Sequence, residues 1–197
     1  MRFSGKGFGT VKRGLSRRNF IKLGMLAAAA SVAPGAVFAS RRVYLSPEKS
    51  LAFYNIHTGE GLRATYWFRG KYLSKAMDDI NYIMRDYRTN EVRPIDTGLL
   101  DFLHAIGSKL EIRHNFYIVS GYRCPATNEF LRRKGKGVDK NSLHMYGKAV
   151  DIRVPKCDIS TVRSAALNLR YGGVGYYPDS NFVHVDVGDV RSWRFPF

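Results

Sequence analysis

Alternation of apolar and polar residues marks two strands in the C-terminal third of the chain. In residues 148–154 the aliphatic side chains share one face, so Asp151 must point to the other. In residues 182–187 the valines share a face, which sends His184 and Asp186 to the opposite side. If both strands belong to one sheet whose aliphatic face covers the core, Asp151 and His184 lie on the same open surface.

The remaining pattern predicts helices and further strands. Apolar residues recur at helical spacing in four segments, with Ser74 as the N-cap of the first and Gly172 ending the last. In chain order the predicted elements are strands 43–54 and 62–68, helices 74–88 and 96–110, strand 116–120, helices 125–134 and 158–170, and paired strands 174–177 and 182–187. Helices followed by antiparallel strands indicate an α+β fold, with the helices packed on one face of an antiparallel sheet.

A third candidate residue precedes the first of the two C-terminal strands. His144 stands seven residues before Asp151, and the turn at Tyr146-Gly147 lets it fold over the open surface. With His184 these residues supply two imidazoles and one carboxylate, the ligands that a catalytic zinc ion takes while a fourth position is left for water. Each residue alone is compatible with an ordinary surface or core role. Their combination predicts a zinc site.

The first 39 residues predict export. Residues 16–22 read Ser-Arg-Arg-Asn-Phe-Ile-Lys, which is typical of a twin-arginine signal, and an alanine-rich apolar run follows over residues 23–38. This run is short and weakly hydrophobic for a membrane span. We expect the twin-arginine translocation machinery to deliver the chain to the periplasm, with cleavage before Ser40 and no stable membrane span thereafter. Retention of the segment as an uncleaved anchor is the alternative.

Length and net charge limit the domain organisation and the partners expected for the remaining part of the chain. Cleavage leaves residues 40–197, which fit a single domain of ordinary size. It also leaves 25 basic and 16 acidic residues, a net charge of +9, which favours an anionic partner. We find no nucleic-acid-binding module and no phosphate-cradling loop, so we expect no nucleic-acid partner. In an exported protein the available polyanion is the cell wall.

The chain resembles a known family at these residues. The run Ser-x-His-x-x-Gly-x-Ala-x-Asp over residues 142–151, with a later histidine on a strand, is similar to zinc peptidases of the LAS group, which includes the D-Ala-D-Ala metallopeptidases and the hedgehog domain. The closer resemblance is to the YcbK-like murein endopeptidases, and it covers nearly all of the chain after about residue 40. Four further stretches carry it, namely residues 57–60, 85–88, 120–123 and 172–178. The resemblance implies Zn²⁺ on His144, Asp151 and His184 and hydrolysis of peptide cross-links between peptidoglycan stem peptides.

The resemblance also suggests catalytic residues. Arg123 resembles the family arginine beside the substrate carbonyl or carboxylate, with an ion pair at the strand end as the alternative. The related carboxypeptidases carry a glutamate base three residues before the last zinc ligand, where this chain has Asn181. We therefore assign the base to Asp186, for which support of a ligand and pairing with a cation are the alternatives. Asp179 and His57 are the further candidates.

Five other residues carry weaker expectations. The phenol of Tyr176 or Tyr177 could donate a hydrogen bond to the oxyanion, or both side chains could pack in the core. Ser142 is expected to hydrogen-bond within the metal loop. Cys124 and Cys157 are expected to form a disulfide in an oxidising periplasm.

Together these features predict a periplasmic, zinc-dependent murein endopeptidase. A D,D- or L,D-carboxypeptidase of the same fold is one alternative. A non-catalytic wall-binding module is a second, kept open by Asn181 in place of the glutamate. A general exported protease is a third.

Overall fold

A mixed sheet forms the centre of the part of the chain that the structure describes. The computed structural model describes residues 48–112, 114–135 and 137–196, so the predictions for the export segment 1–39 lie outside the described residues. Its strands are β1 Glu48–Asn55, β2 Gly61–Phe68, β3 Lys71–Tyr72, β4 Phe116–Ser120, β5 Ala149–Arg153, β6 Gly173–Tyr177, β7 Phe182–Asp186 and β8 Arg191–Arg194. Its helices are α1 Ser74–Ile83, α2 Thr97–Lys109, α3 Pro125–Arg133 and α4 Ile159–Leu169, with a 3₁₀ turn at Leu143–Tyr146.

The strand order of the sheet is β3-β2-β1-β4-β5-β7-β6-β8. β1 runs parallel to β4 and β6 runs parallel to β8, whereas the other neighbours are antiparallel. The α+β class is therefore confirmed, but the prediction of a purely antiparallel sheet is wrong. The chain passes through α1 and α2 before β4 returns beside β1, and a crossover of this length permits parallel neighbours.

The apolar core lies on one face of this sheet. Phe53, Ile118, Val150 and Val183 project from four adjacent strands into a buried cluster with residues of α1, α2 and α4. Full burial of such a side chain contributes about 1.5–3 kcal/mol relative to exposure. The packed face thus fixes the strands as a rigid support, and the opposite face is left for polar side chains.

Several predicted boundaries need correction. α1 ends at Ile83 rather than residue 88, and its N-cap is Leu73 rather than Ser74, with no side-chain capping bond. α2 begins as predicted, because the Asp96 carboxylate accepts a hydrogen bond from the Gly98 N–H at 2.8 Å. The short edge strands β3 and β8 were not predicted. Within the described ranges, no helix combines the length and apolar character needed to cross a membrane.

Candidate metal centre

Asp151 and His184 face each other across two adjacent strands. β5 and β7 are antiparallel, and their register pairs Asp151 directly with His184. Both side chains project from the face opposite the core, because their aliphatic neighbours in each strand fill the core face. Both are nevertheless buried, with 5% of Asp151 and 8% of His184 exposed. The convergence predicted from strand alternation is therefore observed.

His144 reaches the same place from the 3₁₀ turn. This turn ends at Gly147, which has a left-handed backbone with φ of 66°. A side chain at Gly147 would collide with the Pro94 carbonyl oxygen, so both the conformation and the close approach require glycine. The Gly147 carbonyl accepts a hydrogen bond from the Asp96 N–H at 2.9 Å, which ties the turn to the start of α2.

Three potential ligand atoms form a small triangle. His144 Nε2 lies 3.2 Å from His184 Nδ1 and 3.3 Å from Asp151 Oδ1, and His184 Nδ1 lies 2.9 Å from Asp151 Oδ1. A tetrahedral zinc ion with bonds of about 2.0–2.2 Å separates its ligand atoms by about 3.3–3.5 Å. The triangle is close to that size, so these three residues fit one face of a zinc coordination sphere.

Outer hydrogen bonds determine which nitrogen of each imidazole faces the triangle. His144 Nδ1–H donates to the Gly121 carbonyl oxygen at 2.7 Å, and His184 Nε2–H donates to Asp186 Oδ2 at 3.0 Å. In the neutral imidazoles the remaining nitrogens therefore carry lone pairs. Two such lone pairs and a carboxylate oxygen point at one another, an arrangement that a cation stabilises.

Burial and the neighbouring charged groups shift the pKa values of the three potential ligands. Burial lowers the pKa of His144, which keeps its imidazole neutral. Burial also opposes charge on His184, but hydrogen bonds with Asp151 and Asp186 outweigh it and raise the pKa of His184. Burial opposes ionisation of Asp151, yet the neighbouring imidazoles hold its pKa well below the ordinary value. A metal ion bound here would displace the proton from His184.

Asp186 supports His184 from behind. It is completely buried, and its Oδ1 accepts the N–H groups of Gly173 at 3.2 Å and Gly188 at 2.8 Å. Arg191 donates to both carboxylate oxygens, at 2.8 and 3.0 Å. These contacts favour the alternatives in which Asp186 positions the ligand and pairs with a cation. Its assignment as the base stays a prediction.

Arg123 lies on the other side of Asp151. Its Nη2 donates to Asp151 Oδ2 at 3.4 Å and to Ser120 Oγ at 3.3 Å, and its Nη1 donates to Asn128 Oδ1 at 3.3 Å. The residue is 7% exposed, and its buried Nε–H has no hydrogen-bond partner among the described residues. The strand-end ion pair is therefore present, and the Nε–H is a donor that remains unused among the described residues.

A cavity of about 290 Å³ opens over the triangle. Its lining includes the three potential ligands, Arg123, Tyr177 and Trp193. The Tyr177 hydroxyl accepts a hydrogen bond from Trp193 Nε1–H at 3.0 Å, which leaves its own proton to donate. Burial raises the pKa of Tyr177, so the phenol stays protonated. Tyr176 points to the opposite face, between Arg163 and Arg194.

The other candidate residues lie elsewhere or have different contacts. His57 Nε2–H donates to the Val119 carbonyl oxygen at 3.0 Å, and Asp179 is exposed in the β6–β7 turn; neither lines the cavity. Ser142 lines it, but its side chain does not cap the 3₁₀ turn. The expected disulfide is wrong, because Cys124 and Cys157 are free thiols. Cys124 is buried at the start of α3, where its sulfur accepts the Thr127 N–H at 3.4 Å.

Sequence reasoning missed the contribution of β8. Trp193 packs so closely on Gly175 of β6 that a side chain there would meet the indole ring. Arg191 precedes it by two residues and holds Asp186. A further carboxylate, Asp139, lines the cavity from the loop after α3. The two glycines that flank Val174 in β6 were the only signal in the sequence that a bulky neighbour covers this part of the sheet.

The ligand triangle, its outer hydrogen bonds and the cavity define a candidate metal centre of the hydrolytic class. A family model described as peptidoglycan L,D-endopeptidase MepK matches residues 44–193. Peptidoglycan L,D-endopeptidase MepK of Escherichia coli K12 is 39% identical over 178 residues, which cover 90% of this chain and 97% of that protein. The probable peptidoglycan L,D-endopeptidase MepK of Haemophilus influenzae Rd is 39% identical over 180 residues, 91% of this chain and 96% of that protein. The chain belongs to this peptidase family.

Proposed function

We propose that this protein is a zinc-dependent murein endopeptidase that hydrolyses peptide cross-links of peptidoglycan. The observation that carries the proposal is the set of two imidazole nitrogens and one carboxylate oxygen that lie 2.9–3.3 Å apart and line a cavity. The family supports it, because the relatives are named as peptidoglycan L,D-endopeptidases. We further propose, on those names, that the bond cut is an L,D cross-link.

The metal ligands are proposed to be His144, Asp151 and His184. Zinc at this site would supply Lewis acidity, which lowers the pKa of water toward about 7 and polarises the scissile carbonyl. The protein residues fix the ligands before substrate arrives. Gly121 and Asp186 hold the two imidazoles from outside, and Arg123 holds the carboxylate.

The reacting carbonyl needs hydrogen-bond donors as negative charge develops on its oxygen. Two unused donors belong to cavity residues, the Tyr177 hydroxyl and the Nε–H of Arg123. We propose that they stabilise the tetrahedral transition state. Because both groups are largely buried, their hydrogen bonds are stronger there than in water.

The proton acceptor is proposed to be one of the two carboxylates that line the cavity besides the proposed ligand Asp151. Asp186 is the first candidate, but its oxygens already accept hydrogen bonds from His184, Arg191 and two backbone N–H groups. Asp139 is exposed and lines the cavity, with one oxygen accepting the Asn141 N–H at 2.7 Å. Their separate replacement distinguishes a base from a residue that only positions His184.

Action on peptidoglycan places the proposed reaction outside the cytoplasm. We propose that residues 1–39 export the chain to the periplasm by the twin-arginine pathway and that residues 40–197 form the peptidase domain. Arginine pairs are essential to such signals. Replacement of Arg17 and Arg18 by lysine is therefore expected to leave the protein in the cytoplasm, which fractionation of cells measures.

Digestion of purified muropeptides tests the proposed activity. The metal-loaded protein is expected to convert cross-linked dimers to monomers, with L,D-linked dimers cut in preference to D,D-linked ones. Shortened monomers beside intact dimers would instead identify a carboxypeptidase. Binding to sacculi without release of any fragment would identify a non-catalytic wall-binding module.

A further inference from the structure

Arg88 has no acidic partner among the described residues and lies on an aromatic stack. The Arg88 guanidinium lies 4.2 Å from the centroid of the Tyr87 ring, and that ring stacks on His57 with centroids 3.8 Å apart. His57 is in turn bonded to the carbonyl oxygen of Val119, the residue before Ser120 in β4. Ser120 Oγ accepts a hydrogen bond from Arg123, which in turn pairs with Asp151. The aromatic stack is therefore connected through the end of β4 to the candidate metal centre.

A second such arginine lies on the strand that carries a metal ligand. Arg153 follows Asp151 by two residues in β5, so both project from the same face of the sheet. It donates to the Ser180 carbonyl oxygen at 3.0 Å, and its buried Nε has no partner. Arg88 and Arg153 both lie near His57, and after burial their positive charges are further causes of its lowered pKa.

Three acids near these two arginines already have other partners. Glu60 pairs with Arg85 at 2.8 Å, and Asp86 accepts the N–H groups of Arg88 and Cys124. Asp151 interacts with Arg123 and the two histidines. Asp179 is next to Ser180 but forms no ion pair with Arg153. Across the described residues, neither Arg88 nor Arg153 has a carboxylate within 4.0 Å.

Stacking fixes the position of a guanidinium while its N–H groups remain available to a ligand. Two guanidinium groups that have no counter-ion in the described ranges, close to a candidate peptidase centre, match a ligand with carboxylates. We propose that Arg88 and Arg153 form a carboxylate-binding subsite that receives a free carboxylate of the stem peptide. This inference rests on the proposed function for the identity of the ligand. The two arginines contribute to the net charge of +9 of residues 40–197.

Equilibrium binding tests the subsite independently of cleavage. The probe is a purified monomeric stem peptide, which has the carboxylates but no cross-link, compared with the same peptide after its carboxylates are amidated. Titration calorimetry on the full-length, metal-loaded protein is expected to give about tenfold or tighter binding of the acid form. Arg88→Gln and Arg153→Gln are each expected to remove most of this difference and to leave binding of the amidated peptide unchanged.

Arg69→Gln is the matched control. Arg69 also stacks on an aromatic ring, Phe68 at 5.2 Å, and has no ion pair within the described part of the chain, but it lies between β2 and β3, at an edge of the sheet and away from β5. This variant is expected to bind like the wild type. Equal affinity of the wild type for the two peptides, or an equal loss for both peptides in Arg88→Gln, would overturn the subsite. Selective binding of the acid form without cleavage of dimers would contradict the proposed function and leave the subsite standing.

Discussion

His184 and Asp186 stand two residues apart on β7, and the imidazole Nε2 lies 3.0 Å from the carboxylate Oδ2. This bond places the proton of the neutral ring on Nε2 and leaves Nδ1 to face Asp151 at 2.9 Å. The carboxylate is itself held by Arg191. A chain of contacts from the edge strand β8 thus determines which nitrogen is offered to a metal.

Asp186→Asn is therefore expected to weaken zinc affinity about 10–100-fold, because the imidazole loses the acceptor that orients it. Competition with a chelator of known affinity measures this change. Activity is expected to return when zinc is in excess. If zinc affinity stayed at the wild-type value while kcat fell, Asp186 would be the base rather than the positioning residue. Asp139→Asn is the companion variant, and its zinc affinity should not change.

Tyr177→Phe is expected to lower kcat about 10–1000-fold while KM and zinc content stay the same, because it removes a donor to the developing oxyanion. It also removes the acceptor of the Trp193 Nε1–H. Tyr176→Phe is the control, since that phenol lies on the opposite face of the sheet. Steady-state cleavage of dimers measures both variants. Similar rates for the two would rule out the Tyr177 hydroxyl as an oxyanion donor.

Asp86→Ala is expected to reduce the free energy of unfolding by about 2–4 kcal/mol at neutral pH, because buried N–H groups lose their charged acceptor. Asp79→Ala removes an exposed ion pair with Lys75 and should cost at most about 0.5 kcal/mol. Urea unfolding followed by circular dichroism measures both. A loss no larger in Asp86→Ala than in Asp79→Ala would contradict the structural role of Asp86.

The effect of Asp86 should also depend on pH. Burial opposes its ionisation, but hydrogen bonds from Thr127, Cys124 and Arg88 outweigh burial and lower the pKa of Asp86. A carboxylate with a lowered pKa stabilises the fold above its unfolded pKa of about 3.9, and this stabilisation is lost as the pH falls through the folded value. The difference between wild type and Asp86→Ala should therefore shrink below about pH 4. An increase, as the pH falls, in the difference in unfolding free energy between wild type and Asp86→Ala would contradict this prediction.

The sequence was sufficient for the local part of the site. Side-chain alternation on β5 and β7 placed Asp151 and His184 on one face, and the structure pairs them directly. It was not sufficient for non-local pairing. The order of strands in a sheet depends on the crossover connections. The parallel pairing of β1 with β4 therefore cannot be predicted from the residue pattern of either strand.

The contacts that surround the potential ligands also could not be predicted from the periodicity of apolar residues. Alternation places Asp186 on the same face as His184 but does not say that Arg191 holds it. β8 has no apolar alternation, and its position depends on Trp193 packing against Gly175. The free cysteines show the same limit, since compartment chemistry favoured a disulfide but three-dimensional placement decides the pairing.

Metal analysis of the purified protein beside His184→Ala tests the central claim most directly. After zinc loading and desalting, elemental analysis is expected to find about one zinc per wild-type chain and almost none in His184→Ala. His104→Ala, which alters a histidine outside the triangle, should keep its zinc. Full zinc occupancy in His184→Ala, or a wild-type chain that cuts muropeptide dimers without any metal, would contradict the account.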